Sequence, residues 1–207
     1  MSTEAAEKVV SLMSLQTNLF THRHCLNCSL GKYSVEASSS CETCAAGQYA
    51  ETQGNAACDA CAEGKYSSSS GATTCSACPT HTYSGEGSSK IGNCTCNKGY
   101  TGADGAACTA CAAGTFKEVN GSAPCSLCAG GTYSGGEGEI REATCEACPT
   151  HTHSEEGSTE IADCVCNTGY TGPDGAGCSA CVAGTFKDVN GSSVCSECSR
   201  GKYSTGT

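Results

Sequence analysis

Large apolar side chains are scarce in this chain and unevenly placed along it. Leu, Ile, Val and Phe together make up 20 of 207 residues. Six of them fall in the first 24 residues, which contain no cysteine: Val9, Val10, Leu12, Leu15, Leu19 and Phe20. The remainder is poorer still, so it cannot bury one large hydrophobic core, and we expect covalent links to replace that core.

The aromatic residues follow paired cysteines at a fixed distance. Every Tyr and two of the three Phe lie four or five residues after the second Cys of a cysteine doublet, usually preceded by a Gly or a His-Thr pair, and His153 takes this position after one doublet. The pattern predicts a turn and then a short strand that lays one ring against a disulfide. Stacking of sugars or bases on the rings is the alternative, but the fixed link to cysteine favours the structural interpretation. The positions are Tyr33, Tyr49, Tyr66, Tyr83, Tyr100, Phe116, Tyr133, Tyr170, Phe186 and Tyr203.

The stretches between doublets are rich in Gly, Ser, Thr and Asn, which predicts loops and short hairpins of low regularity. The expected fold is therefore a small disulfide-rich one, an elongated tandem repeat of short β-hairpins and loops. Segment 1–24 is a cysteine-free arm. We interpret it as a helix or docking segment. Ser2 or Thr3 can cap the start of a helix, and the apolar side chains of the segment need another surface to pack against.

The chain contains 22 cysteines in eleven doublets, nine of them C-x-x-C and two C-x-C. Such a cysteine content is typical of secreted disulfide scaffolds. Zinc sites could use adjacent doublets but do not require an aromatic after each one, and redox motifs need a βαβ context that is absent here. Disulfides explain all eleven doublets with one rule, so we expect no metal and no cofactor.

A translational repeat favours one pairing applied to every unit, although spacing alone does not determine connectivity. The simplest scheme, a ladder, joins the second Cys of each doublet to the first Cys of the next. Each bond would close a loop of similar size and contribute about 3 kcal/mol. The pairs are Cys28 with Cys41, Cys44 with Cys58, Cys61 with Cys75, Cys78 with Cys94, Cys96 with Cys108, Cys111 with Cys125, Cys128 with Cys145, Cys148 with Cys164, Cys166 with Cys178, and Cys181 with Cys195.

The ladder leaves Cys25 and Cys198 without partners. One explanation is that the sequence is a piece of a longer array. The other is an intermolecular disulfide between Cys198 of one copy and Cys25 of the next, a heterologous contact that propagates into a filament.

A longer period overlies the doublets. All eight cysteines from Cys75 to Cys128 recur 70 positions later, from Cys145 to Cys198, together with much of the intervening sequence. We divide the chain into the arm 1–24, short doublet repeats 25–74, a first 70-residue repeat 75–144 and a second, truncated one 145–207. Stacked units of this kind contact their neighbours and predict an elongated molecule.

The net charge is −10, without a Lys/Arg cluster. Nucleic acid is therefore excluded as an expected partner, because it needs a basic surface. The segment Met1–Phe20 lacks the basic start of a signal peptide, yet the cysteines require an oxidising compartment. We give the cysteines more weight and expect an extracellular or cell-surface location.

The stretch from Cys111 to Cys198 resembles the cysteine-rich, epidermal-growth-factor-like region of ephrin receptors. The likeness rests on the Gly-Thr-Phe-Lys at 184–187, on Cys148-Pro149, and on the C-x-C at 164–166 followed by Gly169-Tyr170. The plainer units, such as Cys44 to Cys61, are similar to the first module of tumour-necrosis-factor-receptor repeats. Tandem arrays of this form also resemble those of surface proteins in algae and other protists. The resemblance implies an extended extracellular stalk.

Four sequons for N-glycosylation occur, at Asn27, Asn93, Asn120 and Asn190. We favour Asn120 and Asn190, which share one repeat position in turns, whereas Asn27 and Asn93 precede a cysteine whose disulfide would hinder modification.

No arrangement of catalytic residues stands out. The pairs His22/His24 and His151/His153 lack supporting carboxylates for a metal, and Asp104 and Asp174 are better explained by turns than by calcium.

The sequence predicts a protein that is not an enzyme. The leading interpretation is a rod-like subunit or segment of an extracellular filament, appendage or matrix, glycosylated and self-associating head to tail. The alternative is a receptor-like or adhesive stalk that binds a protein or glycan ligand.

Overall fold

The structure is a computed structural model and describes residues 25–206. The expectation of a helix in segment 1–24 falls outside these residues. Within them the regular structure consists of twenty two-residue strands and three 3-10 helices, at Ile91–Asn93, Glu142–Thr144 and Ile161–Asp163. No helix among the described residues is long and apolar enough to cross a membrane.

The strands pair in chain order as ten separate antiparallel hairpins, β1 with β2 through β19 with β20. Their bounds are β1 Lys32–Tyr33, β2 Glu42–Thr43, β3 Gln48–Tyr49, β4 Asp59–Ala60, β5 Lys65–Tyr66, β6 Ser76–Ala77, β7 Thr82–Tyr83, β8 Thr95–Cys96, β9 Tyr100–Thr101, β10 Thr109–Ala110, β11 Thr115–Phe116, β12 Ser126–Leu127, β13 Thr132–Tyr133, β14 Glu146–Ala147, β15 Thr152–His153, β16 Val165–Cys166, β17 Tyr170–Thr171, β18 Ser179–Ala180, β19 Thr185–Phe186 and β20 Ser196–Glu197. The disulfide-rich array of short hairpins predicted from the sequence is thereby confirmed.

Each hairpin is built from one cysteine loop. The first strand carries the aromatic residue, and in most units the second strand is the pair of residues inside the next C-x-x-C. In the first unit Tyr33 lies opposite Glu42, and Lys32 lies opposite Thr43. The two middle residues of a doublet therefore serve as a strand, while the flanking cysteines close one loop and open the next.

The core of the array is made of cysteines and, in most units, of the residue that follows the aromatic position. Twelve half-cystines are buried, together with Ala50, Ser67, Ser84, Ser134 and Ser154, which occupy that following position. Most rings are only half-buried, and Tyr203 is 86 % exposed. The disulfide, rather than the ring, is thus the centre of each unit, because a two-residue strand is too short to cover an aromatic on both sides.

Candidate functional site: the disulfide ladder and the junctions between units

Ten disulfides join the second Cys of one doublet to the first Cys of the next, from Cys28–Cys41 to Cys181–Cys195. These are the same pairs as in the ladder drawn from the sequence. Cys25 and Cys198 carry free thiols, the first exposed and the second half-buried. The bonds close loops within units, so contacts between units must come from other groups.

Backbone hydrogen bonds connect each unit to the next. The turn glycine of a unit donates its N–H to the carbonyl of the residue after the next aromatic. Gly47 donates to Ser67 at 2.8 Å, and Gly114 donates to Ser134 at 2.7 Å. A second bond runs backwards from a loop glycine to a cysteine of an earlier unit, as from Gly71 to the Cys44 carbonyl at 2.7 Å. Successive units are therefore held in a fixed register.

Contacts also reach the unit after next. A Cβ added to Gly31 would lie 2.1 Å from the carbonyl oxygen of Gly71, and one added to Gly114 would lie 2.1 Å from that of Gly157. These glycines also have positive φ angles, which L-residues adopt only at a cost. The turn is thus closed to side chains for two separate reasons, its conformation and its close neighbour.

A buried lysine clamps one junction in each 70-residue repeat. Lys117 is 3 % exposed, and its Nζ donates to the carbonyl of Tyr100 at 2.7 Å and to that of Gly121. Lys187 is 7 % exposed and repeats the arrangement, with Tyr170 at 2.9 Å and with Gly191. We call these groups the lysine clamps. Each ammonium joins two loops that belong to neighbouring disulfides.

The pKa of the Lys117 ammonium lies below its usual value because burial disfavours the charged form, and the negative charge of Asp104 acts in the opposite sense. A buried ammonium is stable only when it is well hydrogen-bonded. The two backbone carbonyls provide those bonds, so the clamp is a structural cation and not a free nucleophile.

Two junctions are built differently, around histidine. His81 and His151 occupy the position of the turn glycine with φ angles of 59° and 63°. Within residues 25–206 their N–H groups make no bond to the next unit; instead the His81 ring stacks on Tyr100 at 4.0 Å, and the His151 ring stacks on Tyr170 at 4.1 Å. The stack replaces the missing backbone bond at the C-x-C doublets. His153, which takes a ring position in β15, is half-buried.

Several tyrosines pair with glutamates at the surface. The Tyr33 hydroxyl donates to Glu42 at 2.6 Å, and that of Tyr133 donates to Glu146 at 2.8 Å. In each pair the hydrogen bond to the carboxylate is the main cause that raises the pKa of the phenol. Both pairs link the two strands of one hairpin, so they stabilise hairpins and not junctions.

All four sequon asparagines are exposed. Asn120 and Asn190 lie at the lysine clamps, where each Oδ1 accepts a backbone N–H of the neighbouring loop. Asn93 ends a 3-10 helix, and Asn27 precedes buried Cys28. Among the described residues there is no group of three or more His, Cys, Asp or Glu that could hold a metal ion. The turn residues Asp104 and Asp174 do not join such a group.

Sequence reasoning missed the lysine clamps and the buried residue after the aromatic. A signal was present: that position holds Ala or Ser in the plain units and Lys at 117 and 187. A lysine that replaces small buried residues at a fixed point of a repeat marks an internal contact, but by itself a lysine suggests a solvated surface.

The geometry defines a class of protein, a tandem array of disulfide-closed hairpins. A family model described as tyrosine-protein kinase ephrin type A/B receptor-like matches residues 31–74 and 118–164. These two stretches therefore match cysteine-rich repeats of the ephrin-receptor-like type, a resemblance that the sequence predicted. The first match covers plain units that we had compared with tumour-necrosis-factor-receptor modules. A search of curated proteins finds no match.

Repeats of this family are typically non-enzymatic modules of extracellular receptor-like or structural proteins. The ten disulfides of this chain accord with such a location, because they persist in oxidising compartments.

Proposed function

We propose that the chain is an extracellular rod or stalk without catalytic activity, a segment of a filament, appendage or matrix. The observation that supports the proposal is the regular hydrogen bonding of successive units, each with a disulfide at its centre, together with close approaches such as that of Gly31 to Gly71 in the unit after next. Such an array transmits tension along covalently closed loops, and it grows in one direction as units are added.

Small-angle X-ray scattering of the oxidised protein tests the rod. A compact domain of this length has a radius of gyration of about 17 Å. We expect a clearly larger radius, with the long-tailed distance distribution of a stiff rod. A radius near the compact value would contradict the proposal.

We further propose head-to-tail self-association through Cys25 and Cys198. In this step two thiols lose two protons and two electrons to a disulfide oxidant of the secretory compartment and form one bond. Non-reducing electrophoresis should show a ladder of multimers for the wild type, while Cys25→Ser and Cys198→Ser should each remain monomeric, because each lacks one thiol of the pair. A monomer with two titratable thiols would rule out this assembly.

The alternative, a stalk that binds a protein or glycan ligand, is favoured by apolar side chains that remain exposed once per 70 residues. Ile91 and Ile161 are each 45 % exposed, and Val119 and Val189 are 59 % and 57 % exposed. Cell-surface binding by labelled protein should weaken in the Ile91→Ser, Ile161→Ser double variant. Equal binding by variant and wild type would argue against this function.

A further inference from the structure

We propose that Asn120 and Asn190 carry N-linked glycans and that Asn27 and Asn93 do not. The inference rests on the proposed extracellular location, because only secreted chains meet the lipid-linked sugar donor. It goes further by selecting two of four sequons from their geometry and by placing one glycan at each lysine clamp.

The amide of Asn120 has a defined orientation. Its Oδ1 accepts the Lys98 N–H at 3.0 Å, and the adjacent Gly121 N–H donates to the Cys96 carbonyl at 2.8 Å. A backbone N–H can only donate, so the oxygen must face the neighbouring loop and Nδ2 must face away from it. Asn120 is exposed and Nδ2 has no hydrogen-bond partner within residues 25–206. The nitrogen that is glycosylated is therefore directed to solvent.

The second repeat reproduces the arrangement. Asn190 Oδ1 accepts the Thr168 N–H at 3.0 Å, and Gly191 donates to the Cys166 carbonyl at 2.8 Å. The hydroxyl residue of each sequon, Ser122 or Ser192, is exposed as well. An attached glycan leaves Oδ1 in place, so modification and the cross-unit hydrogen bond are compatible.

The chemistry of the modification balances with one named co-reactant, an oligosaccharide on a lipid diphosphate. Nδ2 attacks the anomeric carbon of the first sugar, a carbon–nitrogen bond forms, and the bond from that carbon to the diphosphate oxygen breaks. Nδ2 loses one of its two protons, and the lipid diphosphate leaves.

Asn93 serves the fold through its oxygen. Its Oδ1 accepts the Lys90 N–H at 3.2 Å beside the 3-10 helix. Seventy residues later the position is Asp163, whose Oδ2 accepts the N–H of Glu160 at 3.1 Å. An aspartate performs the same task, so the 70-residue period does not preserve an amide nitrogen at this position. The middle residue of the sequon, Cys94, is also fully buried.

Asn27 lies close to the backbone of the next loop. A Cβ on Gly54 would lie 2.9 Å from Asn27 Oδ1, and the middle residue Cys28 is 2 % exposed in its disulfide with Cys41. The disulfide therefore holds the middle residue of this sequon in the interior, whereas the middle residues of the favoured sequons are glycines.

The proposed glycans would stand directly beside exposed apolar side chains. Val119 and Val189 each precede a proposed glycosylated asparagine and are more than half exposed. A glycan at this point covers apolar surface that would otherwise favour aggregation. The two sugars would recur at one position of the 70-residue period.

The test is expression of the chain in a eukaryotic secretory system, followed by glycosidase treatment and mass mapping. The wild type should carry two glycans, Ser122→Ala and Ser192→Ala should each lose one, and the double variant should carry none. These variants keep both asparagines and their hydrogen bonds. The controls Asn27→Gln and Asn93→Asp should keep both glycans, and Asn93→Asp retains the acceptor seen at Asp163.

A secreted, fully oxidised chain without glycans would overturn the proposal and leave the rod intact. Loss of a glycan in Asn27→Gln or Asn93→Asp would overturn the selection of sites. Secretion of a chain whose ten cysteine pairs are reduced would instead contradict the proposed rod of disulfide-closed units.

Discussion

A Cβ on Gly47 would lie 2.2 Å from the carbonyl oxygen of Gly87, forty positions further along the chain. Gly64 has a similar positive φ, 74° against 86°, but a Cβ there would meet no atom within 4 Å. The two glycines therefore separate the strain of the turn from the contact between units.

Gly64→Ala should lower the free energy of unfolding by about 1 kcal/mol, the cost of a left-handed conformation for an L-residue. Gly47→Ala should lower the free energy of unfolding distinctly more, because the backbone of the loop near Gly87 must also move. Urea unfolding of both variants with their disulfides intact measures the difference. Equal losses would show that the approach of the two loops does not contribute to stability.

The lysine clamp provides a second matched pair of variants. Lys117→Met keeps the length of the side chain but leaves the carbonyls of Tyr100 and Gly121 without their donor, at a cost of about 1–3 kcal/mol. Lys98 is exposed, so Lys98→Met should change stability little. Urea unfolding again provides the measurement, and similar stabilities for the two variants would contradict a structural role for the buried ammonium.

The sequence predicted the repeat because cysteine and aromatic positions are fixed by covalent and steric needs. The turn before Tyr49 and the loop from Cys44 to Cys58 follow when one turn and one pairing are applied to every unit of the repeat. The clamps did not follow, because a hydrogen bond from Lys117 Nζ to a carbonyl seventeen positions earlier leaves no periodic apolar signal. The shallow burial of the rings was not predicted either, since in most units the residue after the ring, and not the ring, occupies the interior.

Titration of Tyr33 should depend on Glu42. The hydrogen bond to the carboxylate raises the phenol's pKa above 10.0, with the negative charge adding to the effect. In Glu42→Gln the pKa should fall toward the ordinary value, and the neighbouring exposed Glu36→Gln should leave it unchanged. NMR titration of the Tyr33 ring signals measures the shift, and an unchanged pKa in Glu42→Gln would refute the pairing.

The same shift sets the direction of a stability change. The protonated phenol is the form that donates, so the stabilisation from Tyr33 is fully present below pH 10, the pKa of an unfolded tyrosine. Above that pH the unfolded chain loses its proton first, and the stabilisation disappears as pH rises through the folded pKa. Tyr33→Phe should remove this part of the pH dependence in unfolding curves measured across that range.

The histidine junctions test whether a ring stack can offset a strained backbone. His81→Gly keeps the turn but removes the ring from Tyr100, while His81→Ala keeps the left-handed strain and also removes the ring. His81→Ala should therefore be less stable than both the wild type and His81→Gly. The difference in the free energy of unfolding between His81→Gly and His81→Ala should equal the loss caused by Gly64→Ala, about 1 kcal/mol. Each comparison places one alanine where a glycine would adopt the left-handed conformation freely. If His81→Ala matched the wild type in urea unfolding, the ring stack would not contribute to stability, and if it matched His81→Gly, the backbone strain would not.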